Sequence, residues 1–369
     1  MSPRRRTIVT LGTALLVGTL AAEPVPREIA DRIGRAVQAG MEQRHIPGLA
    51  VAVVREGEVV WTGYYGLADL ENDVPVSPQT VFRFASVTKA MTAVETMRLI
   101  EAGKLGLETR VASILPPGEG VPDAPITVRQ LLAHQSGLRH YQPRADREPL
   151  FHYNDLAGAL RAKAADPLLS APGAKFNYTT HGYMLLGRVI EVASGREYAE
   201  LMRTDLFAAA GMSTAQVDDL YRLIPHRAQG YFRSVNGEWR NSEPSDLSDK
   251  TAGGGLCGTI GDLAAFAAAL LRPGLLLPET KTLMWTRQKL ADGTETPYGL
   301  GWNVGRWQDR REVYHTGSQP KTSSLVWLLP DDGLAVAILG NLEQVNFVSL
   351  ARQLGELMQD KGPLASGRR

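Results

Sequence analysis

The sequence predicts a mixed α/β protein of the α+β type, with an antiparallel sheet flanked by helices and a helical subdomain inserted into it. Three observations lead to this prediction. Strand-like runs rich in valine and aromatic residues lie near both ends of the chain, helical periodicity dominates between them, and no linker is long enough to separate independent domains. The sheet region is therefore expected at about residues 23–80 and 280–369, and the helical region at about 81–279.

The first predicted elements are a helix and a β-hairpin. Apolar residues recur at helical spacing between residues 26 and 43, and Pro47-Gly48 ends the pattern. Two runs rich in valine, tyrosine and tryptophan follow at 49–54 and 58–65, joined across Arg55-Glu56-Gly57. Such residues favour the surface of a sheet.

Helices are predicted through the middle of the chain, and strands return in the last third. Gly195 is a C-terminal stop for one helix, and Thr259 with Asp262 matches a capping box for another. Asn236-Gly237 indicates a hairpin turn. One predicted helix begins at 127, and the others span 155–164, 183–194, 263–271 and 345–359. The predicted late strands span 298–304, 312–317, 323–329 and 334–339.

The N-terminal residues have the pattern of a secretory leader. Arg4-Arg5-Arg6 precedes an apolar run from Thr7 to Leu20, and Ala21-Ala22 follows. The run is short for a membrane span and ends in small residues, so we expect a signal peptide at 1–22 and an exported protein, periplasmic or secreted, at 23–369. An uncleaved membrane anchor and an organellar presequence are the alternatives, since the segment is basic and has no acidic residue.

The composition is that of an ordinary soluble globular protein. Of the 369 residues, 44% are hydrophobic and 21% are charged, and a formal net charge of +1 gives no basis for nucleic-acid binding. The single cysteine, Cys257, rules out an intramolecular disulfide and offers no metal cluster. Neither a metal nor another cofactor is expected.

Chemistry is indicated first by Ser86-x-x-Lys89 at the start of a predicted helix. Apolar residues continue at helical spacing after Ser86, with no glycine or proline before Gly103. Ser86 and Lys89 then lie one turn apart on the same helix face. A serine hydroxyl needs a neighbouring base to become a good nucleophile, and a lysine in a partly dry pocket loses its proton more readily than one in water. The motif alone also fits an ordinary helix cap.

Two later stretches supply partners for Ser86. Pro172-Gly173 opens a stretch that carries Tyr178, and the predicted strand 312–317 ends in His315-Thr316-Gly317-Ser318. In this order the motifs resemble the serine β-lactamase and penicillin-binding-protein superfamily, with its transpeptidase-like fold. The likeness covers roughly residues 27–360 and is closest to the class C, carboxypeptidase-like esterase branch, and within it to the mitochondrial-type β-lactamase-like serine peptidase and its bacterial relatives.

The resemblance implies a nucleophile and two acid–base groups. Ser86 attacks a carbonyl carbon and becomes acylated. Lys89 takes its proton or holds the network that does, and Tyr178 acts as base in one step and as acid towards the leaving group in the next. His134 is expected to hold the loop around Ser136 by hydrogen bonds rather than to take part in chemistry.

The resemblance also implies that the strand end binds substrate. The backbone N–H groups of Ser86 and Ser318 form the oxyanion hole, next to Gly317. His315 and Thr316 line the cleft and steer the substrate carbonyl or carboxylate. A hydrolase of this kind takes a small-molecule, ester or peptide substrate.

Two residues depart from the family pattern. Thr180 stands in the substrate-binding position where many relatives have asparagine, and it cannot donate amide hydrogens. His315 replaces a lysine and is expected to be only partly charged near neutral pH, so that turnover of acidic substrates rises towards mildly acidic pH. Efficient hydrolysis of β-lactams is therefore not expected.

The sequence thus predicts a cofactor-free serine hydrolase that works through an acyl-enzyme on Ser86, as a peptidase or esterase. A weak class C-type β-lactamase or D-alanyl-D-alanine carboxypeptidase is the alternative among enzymes. The alternative of another class is a non-catalytic scaffold or binding protein that retains the fold.

Overall fold

The computed structural model describes residues 25–140, 151–162 and 167–359. The predicted signal peptide at 1–22 lies outside these ranges. Within them no helix has both the length and the apolar character needed to cross a membrane. The strands are β1 (Gly48–Arg55), β2 (Glu58–Asp69), β3 (Val74–Pro75), β4 (Phe82–Arg83), β5 (Gln216–Val217), β6 (Tyr231–Arg233), β7 (Trp239–Asn241), β8 (Leu256–Gly258), β9 (Asn303–Trp307), β10 (Arg310–Gln319), β11 (Thr322–Leu329) and β12 (Leu334–Gly340).

The helices connect these strands and include one π-helical turn, Met202–Phe207, between two short α-helices. The α-helices are α1 (Arg27–Arg44), α2 (Val87–Glu101), α3 (Val128–Leu132), α4 (Leu156–Arg161), α5 (Thr180–Ser194), α6 (Tyr198–Leu201), α7 (Ala208–Ala210), α8 (Thr251–Gly254), α9 (Ile260–Leu271), α10 (Pro278–Met284) and α11 (Val348–Gln359).

The main sheet is antiparallel and is assembled from the two ends of the chain, as predicted. Its seven strands follow the order β3-β2-β1-β12-β11-β10-β9. The junction of the two ends is the β1–β12 pair, in which Leu49 lies opposite Gly340 and Arg55 opposite Leu334. The segment between β3 and β9 carries most of the helices and a small three-stranded sheet, β4-β8-β5.

Helices cover both faces of the sheet, so its central strands β1 and β12 are almost entirely apolar. Alternate residues of β1 face opposite sides, with Ala50 and Ala52 in the core shared with α9 and Val51 and Val53 in the core under α1 and α11. Burial on both faces explains why β1 reads as a continuous hydrophobic run. The alanines on the α9 side are short, which lets that helix lie close to the sheet.

The local capping signals are confirmed. The Thr259 side chain accepts from the Asp262 N–H while the Asp262 carboxylate accepts from the Thr259 N–H, and the box opens α9. Thr127 and Gln130 form the same arrangement at α3. Gly195 ends α5 in the left-handed conformation.

The prediction of a strand at 298–304 is wrong for most of these residues. Strand β9 begins at Asn303, and residues 298–302 form a loop instead. Gly301 adopts a left-handed φ of 89°, and a Cβ at Gly299 would overlap the Met284 carbonyl oxygen. The glycines therefore bend the chain against α10, and the loop turns Tyr298 inward, where it is 1% exposed.

A buried arginine fixes the strand that leads to Ser86. The Arg83 guanidinium donates to Asp218 at 2.5 Å and to the Pro320 carbonyl oxygen at 3.2 Å, and the Arg83 carbonyl accepts from the Thr322 hydroxyl. These bonds join β4 to the turn between β10 and β11. The start of α2 is thereby held against one end of the main sheet.

Candidate active site

Ser86 lies at a sharp turn between β4 and α2. It occupies the N-cap position of α2 and remains partly exposed. The preceding residue, Ala85, is fully buried and has a φ of 46°, a left-handed conformation that is uncommon for a residue with a Cβ. Such backbone strain is frequent at functional sites. The turn places the Ser86 hydroxyl at the N-terminus of α2.

Lys89 is enclosed one turn below Ser86. Its side chain is 0% exposed, and its Nζ lies 3.0 Å from Ser86 Oγ, 3.0 Å from Thr180 Oγ1 and 2.6 Å from the Gly253 carbonyl oxygen. Burial lowers the pKa of this amine well below its ordinary value, and the charge of Lys250 lowers it further. Throughout the described ranges, no carboxylate pairs with it.

A buried amine without a counter-ion favours the neutral form. A neutral amine has two hydrogens and one lone pair, and the three contacts of Lys89 match that set. In the neutral form the two hydrogens can go to Thr180 Oγ1 and the Gly253 carbonyl oxygen, and the lone pair can then accept the Ser86 hydroxyl proton. The arrangement can therefore take a proton from Ser86.

Tyr178 reaches the same point from the loop before α5. Its side chain interacts with that of Ser86, and Lys89 Nζ lies 4.9 Å from the centre of its ring. Burial raises the pKa of the Tyr178 phenol, and the interaction with Ser86 opposes that effect only in part. The phenol is therefore protonated near neutral pH and can donate a proton. Ser86, Lys89 and Tyr178 converge although 92 positions separate the first from the last.

Thr180 contacts the lysine rather than the open cleft. It is the first residue of α5, is 5% exposed, and its hydroxyl is held by Lys89. The sequence placed Thr180 in substrate binding. The structure instead buries it, because the capping of α5 by Thr179 turns the next side chain towards α2.

The glycine run before β8 brings a carbonyl to Lys89. A Cβ at Gly253 would lie 2.5 Å from Thr180 Cγ2, so only glycine lets α8 approach α5 this closely. The sequence analysis did not identify the Gly253 carbonyl as an acceptor for Lys89. Gln319 holds the next residue, since its amide donates to the Gly254 carbonyl oxygen at 3.0 Å.

The end of β10 passes directly beside the residues before Ser86. Strand β9 pairs with β10 only as far as Tyr314, so it leaves residues 315–319 unpaired on that side. A Cβ at Gly317 would lie 2.7 Å from the Phe84 carbonyl oxygen and 2.9 Å from Ala85 Cβ. Thr316 and Ser318 alternate with the buried residues and are the more exposed ones. The sequence-predicted strand end therefore lies where it was expected.

His315 is enclosed and neutral, which corrects the expectation of partial charge near neutral pH. It is 1% exposed, with Nδ1 donating to the Thr316 carbonyl oxygen at 2.7 Å and Nε2 accepting from the Tyr298 hydroxyl at 2.8 Å. Burial lowers the pKa of His315 to about 3. Both nitrogens are therefore occupied by protein groups, and the imidazole offers no cation to a substrate.

A pH experiment follows from this state of His315. The experiment compares two substrates, an ester that bears a free carboxylate and its neutral methyl-ester analogue. We expect kcat/KM for the first divided by kcat/KM for the second to stay constant between pH 5.5 and 8, because His315 does not titrate there. Comparing the two substrates cancels the titration of the catalytic groups. A ratio that climbs as the pH falls, with a midpoint near the ordinary histidine value of about 6.5, would show that His315 is protonated after all.

Tyr298 and His134 complete the inner wall of the site, and sequence reasoning assigned neither to it. The Tyr298 ring lies 6.5 Å from the ring of Tyr178, and the His134 ring lies 4.3 Å from it. Tyr298 reaches the site because residues 298–302 form a glycine-rich loop, where the sequence analysis predicts a strand. The glycines on either side of Leu300 are the sequence signal that could have indicated this loop.

The segment that contains His152 and Tyr153 contacts the segment that contains Asp246 and Ser248. His152 Nδ1 lies 2.8 Å from an Asp246 oxygen, and Ser248 accepts from the Tyr153 N–H. Their side chains line a cavity of about 580 Å³ whose lining does not include Ser86. Among the residues that the structure describes, no group of three or more histidine, cysteine or acidic side chains is arranged to hold a metal.

Comparison with known proteins gives a consistent result. The family model described as Beta-lactamase matches residues 33–358. The serine beta-lactamase-like protein LACTB, mitochondrial, of Mus musculus is 27% identical, in an alignment that covers 87% of this chain and 80% of that protein. Penicillin-binding protein 4 of Amycolatopsis lactamdurans is 28% identical, in an alignment that covers 85% of this chain and 87% of that protein.

A solved structure shares the fold. The octameric penicillin-binding protein homologue from Pyrococcus abyssi aligns with a TM-score of 0.75 at 25% identity, over 90% of this chain and 78% of that one. The sheet order and the inserted helices described above are therefore those of a penicillin-binding-protein-like fold.

Proposed function

This chain belongs to the beta-lactamase family of serine hydrolases, and we propose that it is a peptidase or esterase that forms an acyl-enzyme on Ser86. The observation that supports this most is the state of Lys89. A fully buried amine that has no carboxylate partner among the described residues and lies 3.0 Å from a partly exposed serine hydroxyl is a base beside a nucleophile. A scaffold protein has no physical need for such a costly arrangement.

The proposed acylation begins with attack of Ser86 Oγ on the substrate carbonyl carbon while Lys89 Nζ takes the hydroxyl proton. The N–H groups of Ser86 and Ser318 stabilise the oxyanion. As the bond to the leaving group breaks, the Tyr178 phenol protonates the departing oxygen or nitrogen, and the Lys89 ammonium returns a proton to the tyrosinate.

The proposed deacylation reverses these roles. A water molecule attacks the ester carbon, and the proton that it loses passes to the base formed by Lys89 and Tyr178. Ser86 Oγ leaves the carbonyl and is reprotonated, which releases the acid and restores the starting state. Each proton removed in one step is returned in the other, so the cycle needs no cofactor.

The substrate that we propose is a neutral ester or an internal peptide bond. The position that carries a lysine in many relatives holds a neutral, enclosed His315, and Thr180 is occupied by Lys89. A C-terminal carboxylate therefore meets neither a fixed charge nor an amide at these two positions. Esters and internal peptide bonds make neither demand.

The test is a panel of short esters, peptides and β-lactams, with Ser86→Ala as the control. Turnover of esters or peptides that disappears in the variant supports the proposal. Turnover confined to β-lactams or D-alanyl-D-alanine peptides would favour the weak β-lactamase or carboxypeptidase. If no substrate distinguishes the wild type from Ser86→Ala, the protein is a scaffold or binding protein.

We also propose that residues 1–22 direct export, to the periplasm or out of the cell. The support is the pattern of a basic start, a short apolar run and small residues. The mitochondrial relatives make an organellar presequence the main alternative. N-terminal sequencing of the protein isolated from its natural compartment should begin near residue 23; a protein that keeps Met1 and stays with the membrane would instead be anchored.

A further inference from the structure

His134 contacts the residues on both sides of Tyr178. Its Nδ1 accepts from the Thr179 N–H at 3.1 Å, and its carbonyl oxygen accepts from the Asn177 N–H at 2.8 Å. Its ring lies against the Tyr178 ring, with centres 4.3 Å apart and planes inclined by 43°. One residue thus holds the backbone before Tyr178, the backbone after it and the face of its side chain.

These contacts require one tautomer of a neutral imidazole. Nδ1 accepts an N–H, so its lone pair is committed and the hydrogen lies on Nε2. Burial lowers the pKa of His134 well below its ordinary value. Within the described residues Nε2 has no hydrogen-bond partner, and the rings of Tyr183 and Tyr298 lie 5.0 and 4.8 Å from that of His134.

The backbone of His134 is itself unusual. It adopts a left-handed φ of 57° at 0% exposure, immediately before the loop that carries Ser136. The conformation points the side chain at the start of α5 and not along α3. The contacts to Asn177 and Thr179 explain what this strained geometry achieves.

We propose that His134 is a positioning residue that aims the Tyr178 phenol at the leaving group. The inference rests on the proposed function, in which Tyr178 protonates the departing atom. His134 itself touches neither the substrate nor Ser86. Its effect passes through the backbone on either side of Tyr178 and through the contact between the two rings.

The leaving group is the readout that separates positioning from ordinary stabilisation. An aryl ester with an acidic phenol as leaving group needs little proton donation, whereas an alkyl ester or amide of the same acyl group depends on it. A misplaced Tyr178 should therefore lower kcat/KM, which reports the acylation step, only for the second substrate. A variant that loses activity simply because less protein is folded should slow both equally.

The key variants differ in the acceptor that they offer to Thr179. In His134→Asn the amide oxygen occupies the place of Nδ1, and asparagine tolerates the left-handed conformation. His134→Phe keeps a ring but has no acceptor. We expect kcat/KM, which reports acylation and not the shared deacylation step, to fall by about 10- to 100-fold for the alkyl ester in His134→Phe and to stay within about threefold for the aryl ester. His134→Asn should recover most of the loss.

Two further variants keep the test valid if His134→Phe does not fold. His134→Gln places its oxygen one atom further out, near the site of Nε2, so it should resemble the loss variant while His134→Asn should not. Val53→Ala, in the core between the sheet and α1, is the control for lowered stability and should leave the ratio of the two substrates unchanged.

The outcome is decisive in each case. An equal loss for both esters, or equal behaviour of His134→Asn and His134→Gln, overturns the positioning role while the wild type still turns over both esters. If the wild type turns over neither ester and forms no acyl adduct, the proposed function fails instead, and the two failures are distinguishable.

Discussion

Replacement of Lys89 by methionine is expected to lower kcat/KM by about 10²- to 10⁴-fold while the protein stays folded. Methionine has nearly the shape of the lysine stem but no basic atom, so Ser86 loses the group that takes its proton. Removing the buried amine relieves its desolvation, whereas the Gly253 carbonyl loses its donor, at a cost of about 1–3 kcal/mol. The free energy of unfolding should therefore change little compared with activity.

The matched control is Lys281→Met. Lys281 is half-buried on α10 and donates to a backbone carbonyl, that of Arg272, away from Ser86. It should leave kcat/KM unchanged within about twofold, since its amine faces no reacting atom. Steady-state kinetics on the best substrate of the panel, with a denaturation curve for each variant, makes the comparison. A Lys89→Met enzyme that keeps a third or more of wild-type activity would remove the amine from the mechanism.

Substitution of alanine at Gly317 is expected to cost about 10²- to 10³-fold in kcat, the usual effect of losing an oxyanion donor. The added Cβ meets the Phe84 carbonyl oxygen at 2.7 Å and also clashes with the Ser324 hydroxyl. Strand β10 must move away from the segment before Ser86. The Ser318 N–H, the proposed second oxyanion donor, then moves away from Ser86.

Gly34→Ala is the control for the chemical change itself. On α1 the nearest atom to an added Cβ is the Tyr65 hydroxyl oxygen at 3.5 Å, an ordinary contact, and alanine is the better helix former. This variant should be at least as stable as the wild type and fully active. Gly317→Ala should also unfold at a lower denaturant concentration; unchanged kcat in a folded Gly317→Ala protein would show that the β10 edge supplies no oxyanion donor.

Local signals in the sequence predicted most of the fold. The helix start at Thr127, the capping box at Thr259, the stop at Gly195 and the β-rich runs at both ends depend on neighbours in the chain, and each is present in the structure. The prediction of a strand from Tyr298 was wrong because the glycines there are required by close packing against the Met284 carbonyl, which is distant in sequence.

The candidate site shows the same division. The motifs around Ser86, Tyr178 and Gly317 could be placed in one site by resemblance, and the structure brings them together. The protonation of His315 could not be predicted, because it depends on burial and on the Tyr298 hydroxyl. The contacts of His134 to the two neighbours of Tyr178 likewise exist only after folding.

The central claim is that a buried neutral lysine makes Ser86 a nucleophile, and intact-protein mass spectrometry tests it most directly. After incubation with a fluorophosphonate, the wild type should gain the mass of one adduct, and peptide mapping should place it on Ser86. Ser86→Ala should gain none, and Lys89→Met should react far more slowly. An unmodified wild type after long incubation, or an adduct that persists in Ser86→Ala, would contradict the account.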